Sequence, residues 1–373
     1  MTRPQDHALA AEVCLPSTDM RADLDFYTSM LGFRLDAIWP ADDPAVAVLS
    51  GHGLRIRLER GAIVTPGVVR LLCDDPDAFA GGQRELTAPN GTRILIVDTH
   101  PKLEIPASVH AFVVQRLKDC NTWVLGRAGM RYRDLIPGRL GGSIIASHIH
   151  IPDAGPVPDL VHYHTVHFQL IFCYRGWARL VYEDQGPPFI LRAGDCLNQP
   201  PGIRHRVLES SGNLQVIEIV VPAVHQTTID YELELPTPTL RPDRDFLGQT
   251  FCRSEAADAV WTPWRLPGFE ARETGIGAAT GGIASVQIAR ATGSAPGQIT
   301  SHDSDILFTI VLSGSVTVRG KGLGAHALTE GDAYVIPPHL KTSLSAGSTD
   351  LELLEVSLPA AFETRTYADE RLP

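Results

Sequence analysis

The chain has 373 residues, a length that predicts two or three domains with substantial hydrophobic cores. Charged residues make up 20% of it and hydrophobic residues 44%, which is typical of a soluble globular protein. The formal net charge of −11 argues against nucleic acid or an anionic membrane as a partner.

Targeting and redox features also narrow the class of protein. The first residues lack the apolar core of a signal peptide, and no apolar run is long enough to span a bilayer. The six cysteines form no CxxC pair, so we interpret them as reduced thiols. We therefore expect a cytoplasmic protein.

Residues 10–59 predict a strand, a helix and then three strands. Asp19 is expected at the N-cap of the helix, and Tyr27 belongs to its apolar face. Gly32 would end the helix, and the GHG sequence at 51–53 predicts a hairpin turn.

The helical segment DLDFYTSMLGF, residues 23–33, resembles the helix of the vicinal oxygen chelate superfamily, whose members pair two βαβββ modules. Residues 66–98 would then form a truncated second module. The resemblance implies that Glu12 and Glu59 occupy metal-ligand positions, but solvated carboxylates at strand ends are the alternative, since charged residues are mostly exposed. We expect this domain to cover a surface or to contribute to a dimer.

From about residue 116 the sequence repeats itself. Trp123 and Trp261 lie 138 residues apart, and so do Gly176 and Gly314. Further anchors share nearly the same offset, which indicates a tandem duplication.

The first repeat contains HYHTVHFQLIFCYRG, residues 162–176, and GDCLNQPPGIRH, residues 194–205. Alternation along a strand places His162 and His164 on one face, so both can reach a single ion. His205 follows a turn rich in glycine and proline. Because neutral imidazole is the commonest protein ligand of divalent first-row metals, the pattern predicts a metal site. The alternative is three buried histidines that are satisfied by hydrogen bonds.

These segments resemble the two signature motifs of the cupin superfamily, which are small jelly-roll β-barrels. The matching positions are His162, His164, Gln169 and Gly176 in the first motif, and Gly194, Pro200, Gly202 and His205 in the second. The resemblance implies that the metal ligands are His162, His164, Gln169 and His205. Gln169 stands where many relatives carry Glu.

Two such barrels in tandem make a bicupin, and this resemblance covers about residues 116–360. The expected fold class is mainly β, with two tandem cupin (double-stranded β-helix, jelly-roll) barrels after an α+β domain of βαβββ type. The expected domains are 1–100 for the vicinal-oxygen-chelate-like part, 101–238 for the metal-binding barrel, and 239–373 for a degenerate barrel. Breaker residues at 237–245 predict the connection between the barrels.

The second repeat lacks the metal ligands. The corresponding positions hold Thr300, His302, Leu307 and Thr342. One histidine and a leucine cannot hold a divalent ion, so we interpret this barrel as a structural partner of the first. A pocket for a ligand without metal is the alternative, because barrel mouths are common ligand sites.

The ligand set of the first barrel also bears on chemistry. Three imidazoles and an amide are neutral, so a divalent ion would keep its full charge and favour a bidentate anionic substrate. The set differs from the 2-His-1-carboxylate triad of many iron oxygenases. Resemblance to gentisate-type and quercetin-cleaving bicupin dioxygenases implies Fe(II), with Mn(II) or Ni(II) next and Zn(II) less suited.

Arg204, Arg179 and Tyr182 are candidate catalytic residues that could hold an anionic substrate, since arginine presents a planar fork of donors. Surface charge at the barrel rim is the alternative. Arg179 and Tyr182 differ in parity on one strand, so both cannot face inward. His148 and His150 form another HxH pair, for which we favour packing over metal ligation.

The leading hypothesis is a metal-dependent cupin oxygenase that acts with O₂ on a small anionic acid or phenol, as a homodimer. A non-redox metal-dependent lyase or isomerase is one alternative. A non-catalytic bicupin that binds a small molecule is another. No nucleic acid or membrane partner is expected.

Overall fold

The computed structural model describes residues 11–40, 43–119, 122–293 and 297–367. The protein is mainly β, and it divides into two compact units, residues 1–102 and 103–373. In the described residues, helices are too short or too polar to cross a membrane. The five cysteines in the described ranges are free thiols.

In its described residues, the first unit contains two small sheets and one α-helix. Its elements are β1 Val13–Ser17, α1 Met20–Asp25, β2 Arg34–Trp39, β3 Val46–Gly51, β4 Leu54–Arg60, β5 Val68–Cys73, β6 Glu85–Thr87 and β7 Arg93–Asp98. One sheet has the order β1-β4-β3-β2 with β1 parallel to β4, and the other has the order β5-β7-β6 with β5 parallel to β7.

Local sequence signals explain how the helix begins and ends. The Asp19 carboxylate accepts hydrogen bonds from the backbone N–H groups of Arg21 and Ala22, both at 3.1 Å, so the predicted N-cap is confirmed. A π-helical turn, Phe26–Met30, continues α1 and buries Tyr27 completely. Gly32 then takes a φ of 75°, which ends the helix as predicted.

The second unit consists of short strands with one short helix, α2 Ile276–Ala279. The strands up to the connection are β8 Val113–Gln115, β9 Val124–Leu125, β10 Arg131–Asp134, β11 Ile145–Ile151, β12 Gly155–Pro156, β13 His162–Thr165, β14 Phe168–Arg175, β15 Trp177–Tyr182, β16 Phe189–Arg192, β17 Cys196–Asn198, β18 His205–Ser210, β19 Leu214–Val221 and β20 Gln226–Ile229. The later strands are β21 Arg253–Ser254, β22 Trp261–Pro263, β23 Phe269–Glu273, β24 Ser285–Ala291, β25 Ile299–His302, β26 Ile306–Ser313, β27 Ser315–Gly320, β28 Gly324–Thr329, β29 Ala333–Val335, β30 Thr342–Ala346, β31 Glu352–Leu358 and β32 Thr364–Tyr367.

Each repeat folds into two facing sheets. The first barrel combines the sheet β21-β17-β14-β19-β11-β10-β9 with the sheet β16-β15-β18-β13-β20, onto which β12 pairs through β18. The second combines β22-β23-β24-β31-β26-β29-β8 with β28-β27-β30-β25-β32. The matching strand orders confirm the duplication predicted from the sequence.

The larger sheets of the two barrels share one hydrophobic core. On β14, Phe168, Leu170 and Phe172 belong to this shared core together with Phe308 and Ile310 of the second barrel. The alternate residues of β14 face the interior of their own barrel. Because both faces of β14 are covered, its sequence is apolar without strict alternation.

The first strand of each repeat joins the sheet of the other barrel. Strand β8 pairs with β29 of the second barrel, whereas β21 pairs with β17 of the first. Two matching hydrogen bonds fix these arms: the Leu117 N–H donates to Asp332, and the Ala256 N–H donates to Asp195, each at 2.8 Å. The expected domain boundary between residues 238 and 239 assigns β8 to the first barrel and β21 to the second. The sequence therefore did not predict that each strand pairs with the other barrel.

A pair of arginines joins the barrels with the same symmetry. Buried Arg133 donates to the carbonyl oxygen of Gly331 at 3.0 Å, and Arg272 donates to the carbonyl oxygen of Gly194. Both acceptors are turn glycines, and they lie 137 residues apart, close to the repeat offset. These bonds satisfy buried donors at the junction of the barrels.

His148 lies buried beside this junction. Its Nδ1 accepts from Arg133 at 3.0 Å, and its Nε2 donates to Gln215 at 2.9 Å. Burial, with the Arg133 charge as a second cause, lowers the pKa of His148 from 6.5 to about 4. These partners agree with the predicted packing role.

We expect the stabilising contribution of neutral His148 to be complete above pH 6.5 and to be lost as the pH falls towards 4. The unfolded chain binds the proton that the folded protein excludes, so the free energy of unfolding should fall by about 2 kcal/mol between pH 7 and pH 5 from this group. Urea unfolding at both pH values should show a shallower dependence for His148→Gln than for the parent protein. His150→Gln, a change at a partly exposed neighbour, is the matched control. Equal pH dependence in all three proteins would contradict the prediction.

Candidate metal centre

Three histidines meet inside the first barrel. His162 and His164 lie on β13 two residues apart, and His205, which begins β18, is the cross-strand partner of His162. One ligand nitrogen from each lies within 4.8 Å of the others, and all three residues are buried. The structure therefore brings together the three histidines predicted from the sequence. In the described ranges, no other group of histidine, cysteine or carboxylate side chains has this arrangement.

Hydrogen bonds orient each imidazole. Nδ1 of His162 donates to the Leu160 carbonyl oxygen at 2.7 Å, and Nδ1 of His205 donates to the Ile203 carbonyl oxygen at 3.0 Å. Nδ1 of His164 bonds to the Thr227 hydroxyl at 2.8 Å. In His162 and His205, whose Nδ1 atoms donate to carbonyl oxygens, the lone pair resides on Nε2, which is the arrangement found in metal sites with outer hydrogen-bond partners.

The environment keeps these rings neutral. Burial lowers the pKa of His162, lowers that of His164 to about 2, and lowers that of His205 well below the usual value. The neighbouring imidazoles act in the same direction on His164 and His205. Neutral imidazole is the form that binds metal, so no proton has to be released at neutral pH.

Gln169, on β14, is 1% exposed and belongs to the same barrel. Its Nε2 donates to the Glu218 carboxyl group at 2.9 Å, whereas its Oε1 is buried without a hydrogen-bond partner among the described residues. A buried carbonyl oxygen of this kind is costly unless something else binds it. Burial raises the pKa of Glu218.

The histidines open onto a cavity of about 320 Å³. Most of its wall is apolar, and its polar lining includes Arg127, Gln199, Glu218 and His225. The aliphatic wall residues include Ile145, Ile149, Ile171, Leu180, Leu191 and Val216. Such a volume suits a molecule with a single ring.

Arg127 is the only arginine of this lining. It lies on a short 3₁₀ turn, Arg127–Gly129, after β9. Nη1 forms an ion pair with Asp159, whose carboxylate also accepts the backbone N–H groups of Leu160 and Val207 at 3.0 Å. Nη2 donates to Nε2 of His162 at 2.9 Å. The guanidinium is thus anchored on one side and directed at the histidine cluster on the other.

Of the three candidate catalytic residues, only Tyr182 lines the cavity. Its ring stacks on His205 with centroids 5.3 Å apart, and its hydroxyl accepts from Gln199 at 2.7 Å. Arg179 pairs instead with Glu209 at 3.0 Å, and Arg204 pairs with Asp230 at 3.2 Å. Neither arginine belongs to the cavity lining, and their ion pairs fit the alternative of surface charge at the barrel rim.

Strand parity explains why Arg179 lies outside the cavity. Ala178, Leu180 and Tyr182 of β15 face the cavity, so Arg179 must face outward. Arg204 precedes the inward-facing His205 and stacks over the Tyr163 ring at 4.2 Å.

The two glutamates that the sequence analysis placed at metal-ligand positions of the first unit form ion pairs with arginines. Glu12 accepts from Arg55 at 2.7 Å, and Glu59 accepts from Arg57 at 3.2 Å. Neither belongs to a metal-binding group among the described residues. In the second barrel, Nε2 of His302 donates to the Ile336 carbonyl oxygen at 3.1 Å. These partners agree with the solvated-carboxylate alternative and with the loss of the second metal site.

Four polar residues of the cavity were missed by the sequence reasoning: Arg127, Gln199, Glu218 and His225. Arg127 carried a usable signal, because Arg265 lies 138 residues later, at the repeat offset. Glu218 belongs to β19, where a single polar residue does not reveal its direction, and Gln199 directly follows β17, outside any strand pattern. His225 follows β19 in a turn, and only the fold shows that its ring lies 5.7 Å from that of His164.

Comparison with known proteins extends this description. No protein-family model matches the chain, and no curated protein matches it. Among solved structures, it is similar to a salicylate 1,2-dioxygenase from Pseudaminobacter salicylatoxidans, with a TM-score of 0.53 and 17% identity over 70% of this chain and 90% of that one. A variant of that enzyme in complex with gentisate has a TM-score of 0.52 and 17% identity over 71% and 88% of the two chains.

A seed protein has the same architecture. Procruciferin, the 11S globulin of Brassica napus, has a TM-score of 0.51 and 11% identity over 70% of this chain and 87% of that one. The fold is that of a bicupin. Since one bicupin neighbour is a dioxygenase and the other a globulin, the fold by itself does not determine function. In this chain, the first barrel carries the histidine cluster, so the chemistry of that site is the guide to function.

Proposed function

We propose that the protein is a metal-dependent oxygenase that uses Fe(II) and O₂ to oxidise a small aromatic or similarly oxygen-rich acid. The observation that carries the proposal is the cluster of three buried, neutral histidines beside a largely apolar cavity with one arginine. The dioxygenase neighbours support it as analogues of fold and, through the gentisate complex, of ligand class.

The donor set fits a divalent ion. His162, His164 and His205 would hold it through their Nε2 atoms, and Gln169 would add its unpartnered Oε1. This set has no negative charge, so a bound ion would retain a strong attraction for an anionic chelating substrate. Zn(II) is the least suited, because it is not redox-active, and a redox-active ion, when bound, supplies the electron transfer that lets an organic substrate react with O₂. Among the redox-active ions we propose Fe(II) ahead of Mn(II) and Ni(II), by resemblance to the gentisate-type bicupin dioxygenases.

The remaining residues would bind and orient the substrate. Nη2 of Arg127 donates to Nε2 of His162 in this structure, and it would turn to a substrate carboxylate when a metal takes that nitrogen, with Asp159 holding the guanidinium in place. The aliphatic wall would bind a ring and exclude water, which strengthens the electrostatic interactions in the cavity. Tyr182, packed against His205, would keep that imidazole in position.

Glu218 favours a second candidate function, a non-redox lyase or isomerase. This carboxyl group lines the cavity, and burial raises its pKa, which is a property of groups that transfer protons. In that case the metal would act only as a Lewis acid. Turnover without O₂ distinguishes this function from the first.

We also propose that residues 1–100 form a vicinal-oxygen-chelate-like domain that contributes to a homodimer, and that the protein acts in the cytoplasm. The strand–helix–three-strand order of residues 13–60 supports the first statement. Sedimentation of the intact chain and of residues 103–373 would test whether this domain is needed for dimer formation.

Oxygen uptake tests the proposed function. The protein, loaded anaerobically with Fe(II), would be mixed with salicylate, gentisate, catechol and aliphatic α-hydroxy acids, and O₂ consumption would be recorded. We expect at least one aromatic acid to be consumed with O₂ by the parent protein but not by His162→Ala. No O₂ uptake across this panel would refute the oxygenase. Product formation under strict anaerobiosis, with Zn(II) as effective as Fe(II), would select the lyase or isomerase.

Gln169→Glu is expected to retain the metal but to weaken binding of an anionic substrate by about tenfold, because it adds a carboxyl group beside the ion. The new group would also lie next to Glu218, so the pair should share a proton near neutral pH. Calorimetric titration of salicylate into the Mn(II)-loaded protein measures the change. Gln169→Met, similar in size and neutral, is the control, and equal salicylate affinity in the two variants would count against a charge effect.

A further inference from the structure

The second barrel contains a cavity of its own. It has a volume of about 460 Å³ and is lined by parts of β22, β23, β24 and β31 and by the segment 360–364. No histidine is among its lining residues, and none of those residues belongs to a metal-binding group in the described ranges. Any ligand of this cavity must be recognised by other chemistry.

A buried ion pair lies in its wall. Nε of Arg265 donates to Oε1 of Glu355 at 3.0 Å, and Nη2 donates to Oε2, so the contact is bidentate. The side chains of Arg265 and Glu355 are 18% and 5% exposed. Arg265 corresponds in the repeat to Arg127, and both guanidiniums are ion-paired, but the pairing differs. Glu355 engages Nε and Nη2 of Arg265 together, whereas Asp159 engages Nη1 of Arg127 and leaves Nη2 directed at the histidines. The carboxylate of Glu355 therefore offsets the Arg265 charge on the side that an anion would approach.

A second polar chain lies beside the pair. The indole N–H of Trp264 donates to Oε1 of Gln287 at 2.8 Å, and Nε2 of Gln287 donates to Glu273. The rings of Trp264 and Phe362 lie 4.6 Å and 5.7 Å from the Arg265 guanidinium carbon. The guanidinium therefore already occupies the aromatic surface that could bind a cationic ligand.

Hydroxyl groups make up much of the remaining wall. Thr262, Ser285, Ser357 and Thr364 line the cavity, and the buried Ser357 hydroxyl has no hydrogen-bond partner among the described residues. Carboxylate oxygens and hydroxyls together offer both acceptors and donors. A ligand with several hydroxyl groups can match both kinds of group.

We propose that this cavity binds a neutral polyhydroxylated molecule of monosaccharide size. An anion would meet the carboxylates of Glu355 and Glu273 without a free cation to offset them. A cation would meet Arg265 on the aromatic rings. A neutral polyol avoids both conflicts and can form hydrogen bonds with the carboxylates and hydroxyls of the wall.

Three probes with a similar carbon skeleton but different charge test the proposal: D-glucose, D-gluconate and D-glucosamine. Galactose, mannose and myo-inositol would widen the neutral set. Saturation-transfer NMR on the full chain would detect binding, and calorimetric titration would rank affinities. We expect at least one neutral probe to bind, and gluconate and glucosamine to bind at least about tenfold more weakly than glucose.

Two variants should shift the charge preference of the cavity in opposite directions. Glu355→Gln frees the Arg265 guanidinium and should shift preference towards gluconate, whereas Arg265→Gln leaves the carboxylates and should shift it towards glucosamine. Binding of the neutral probe should survive His162→Ala, which alters only the other barrel. Circular dichroism would confirm that each variant is folded.

Three results would overturn the proposal. One is absence of binding for every neutral probe. Another is an unchanged charge preference in both folded variants. The third is loss of binding in His162→Ala, which would locate the probe in the first barrel.

Discussion

His162→Ala and His205→Ala are each expected to lose Fe(II) on dialysis, with metal affinity lowered by more than about a hundredfold. Loss of an outer hydrogen-bond partner alone lowers metal affinity by about 10- to 100-fold, and removal of a ligand should exceed that range. His162 and His205 each supply one nitrogen to the cluster, so neither side chain can take over the position of the other. Elemental analysis after anaerobic loading and dialysis measures the retained iron.

His302→Ala is the matched control for these variants. It removes a buried histidine of the second barrel, at the position that corresponds to His164, where its Nε2 donates to the Ile336 carbonyl oxygen. We expect full iron retention in this variant. Iron retained after removal of His162 or His205, or lost after removal of His302, would show that the metal site lies elsewhere.

Arg127→Gln is expected to weaken binding of a carboxylate-bearing substrate by roughly 10- to 100-fold, because hydrogen bonds to charged groups contribute about 1.5–3 kcal/mol. A neutral analogue that lacks the carboxylate should bind almost unchanged. Comparison of salicylate with phenol, by titration into the metal-loaded protein, separates these two effects.

Removing Arg127 also leaves the buried Asp159 carboxylate without its cationic partner, so stability must be monitored. Backbone N–H groups of Leu160 and Val207 still bind Asp159, which limits the loss. Arg179→Gln is the matched control, since Arg179 pairs with a surface carboxylate outside the cavity. Equal weakening of salicylate and phenol in Arg127→Gln would indicate a general distortion rather than loss of a carboxylate contact.

The cluster of three histidines could be predicted because it depends on local geometry. The two-residue spacing of His162 and His164 on a strand fixes their common direction, and a turn before His205 places it opposite. The glycine of the first motif has an equally local cause: Gly176 has a φ of 79°, and a Cβ there would lie 3.3 Å from Leu214. Motif spacing records such constraints directly.

The polar residues that line the cavity beside the histidines were predicted less completely, for a different reason. Arg204 and Arg179 were chosen because they are close in sequence to a ligand or a turn, but neighbours on a strand face opposite sides. Arg127 reaches the cluster from 35 residues before His162, along an irregular arm. Its place depends on tertiary packing and on the buried Asp159, which no local pattern reveals.

The fold shows the same division. Strand alternation, the Asp19 cap and the 138-residue offset predicted the elements and the duplication. The exchange of β8 and β21 could not be predicted, because these strands are two or three residues long and pair with partners far along the chain. Their own sequence is too short to specify a partner.

The exchanged strands bear on why a chain would keep a barrel without the histidine cluster. The arm that leads into the second repeat supplies β21 to the first barrel, and Phe251 of that arm packs on Tyr182 with ring centroids 4.7 Å apart. Tyr182 in turn stacks on His205. A truncation that discarded the second repeat would uncover a sheet edge and remove the support behind one histidine of the cluster. After the exchange, the second copy could drift in sequence, but it could no longer be deleted without damage to the first.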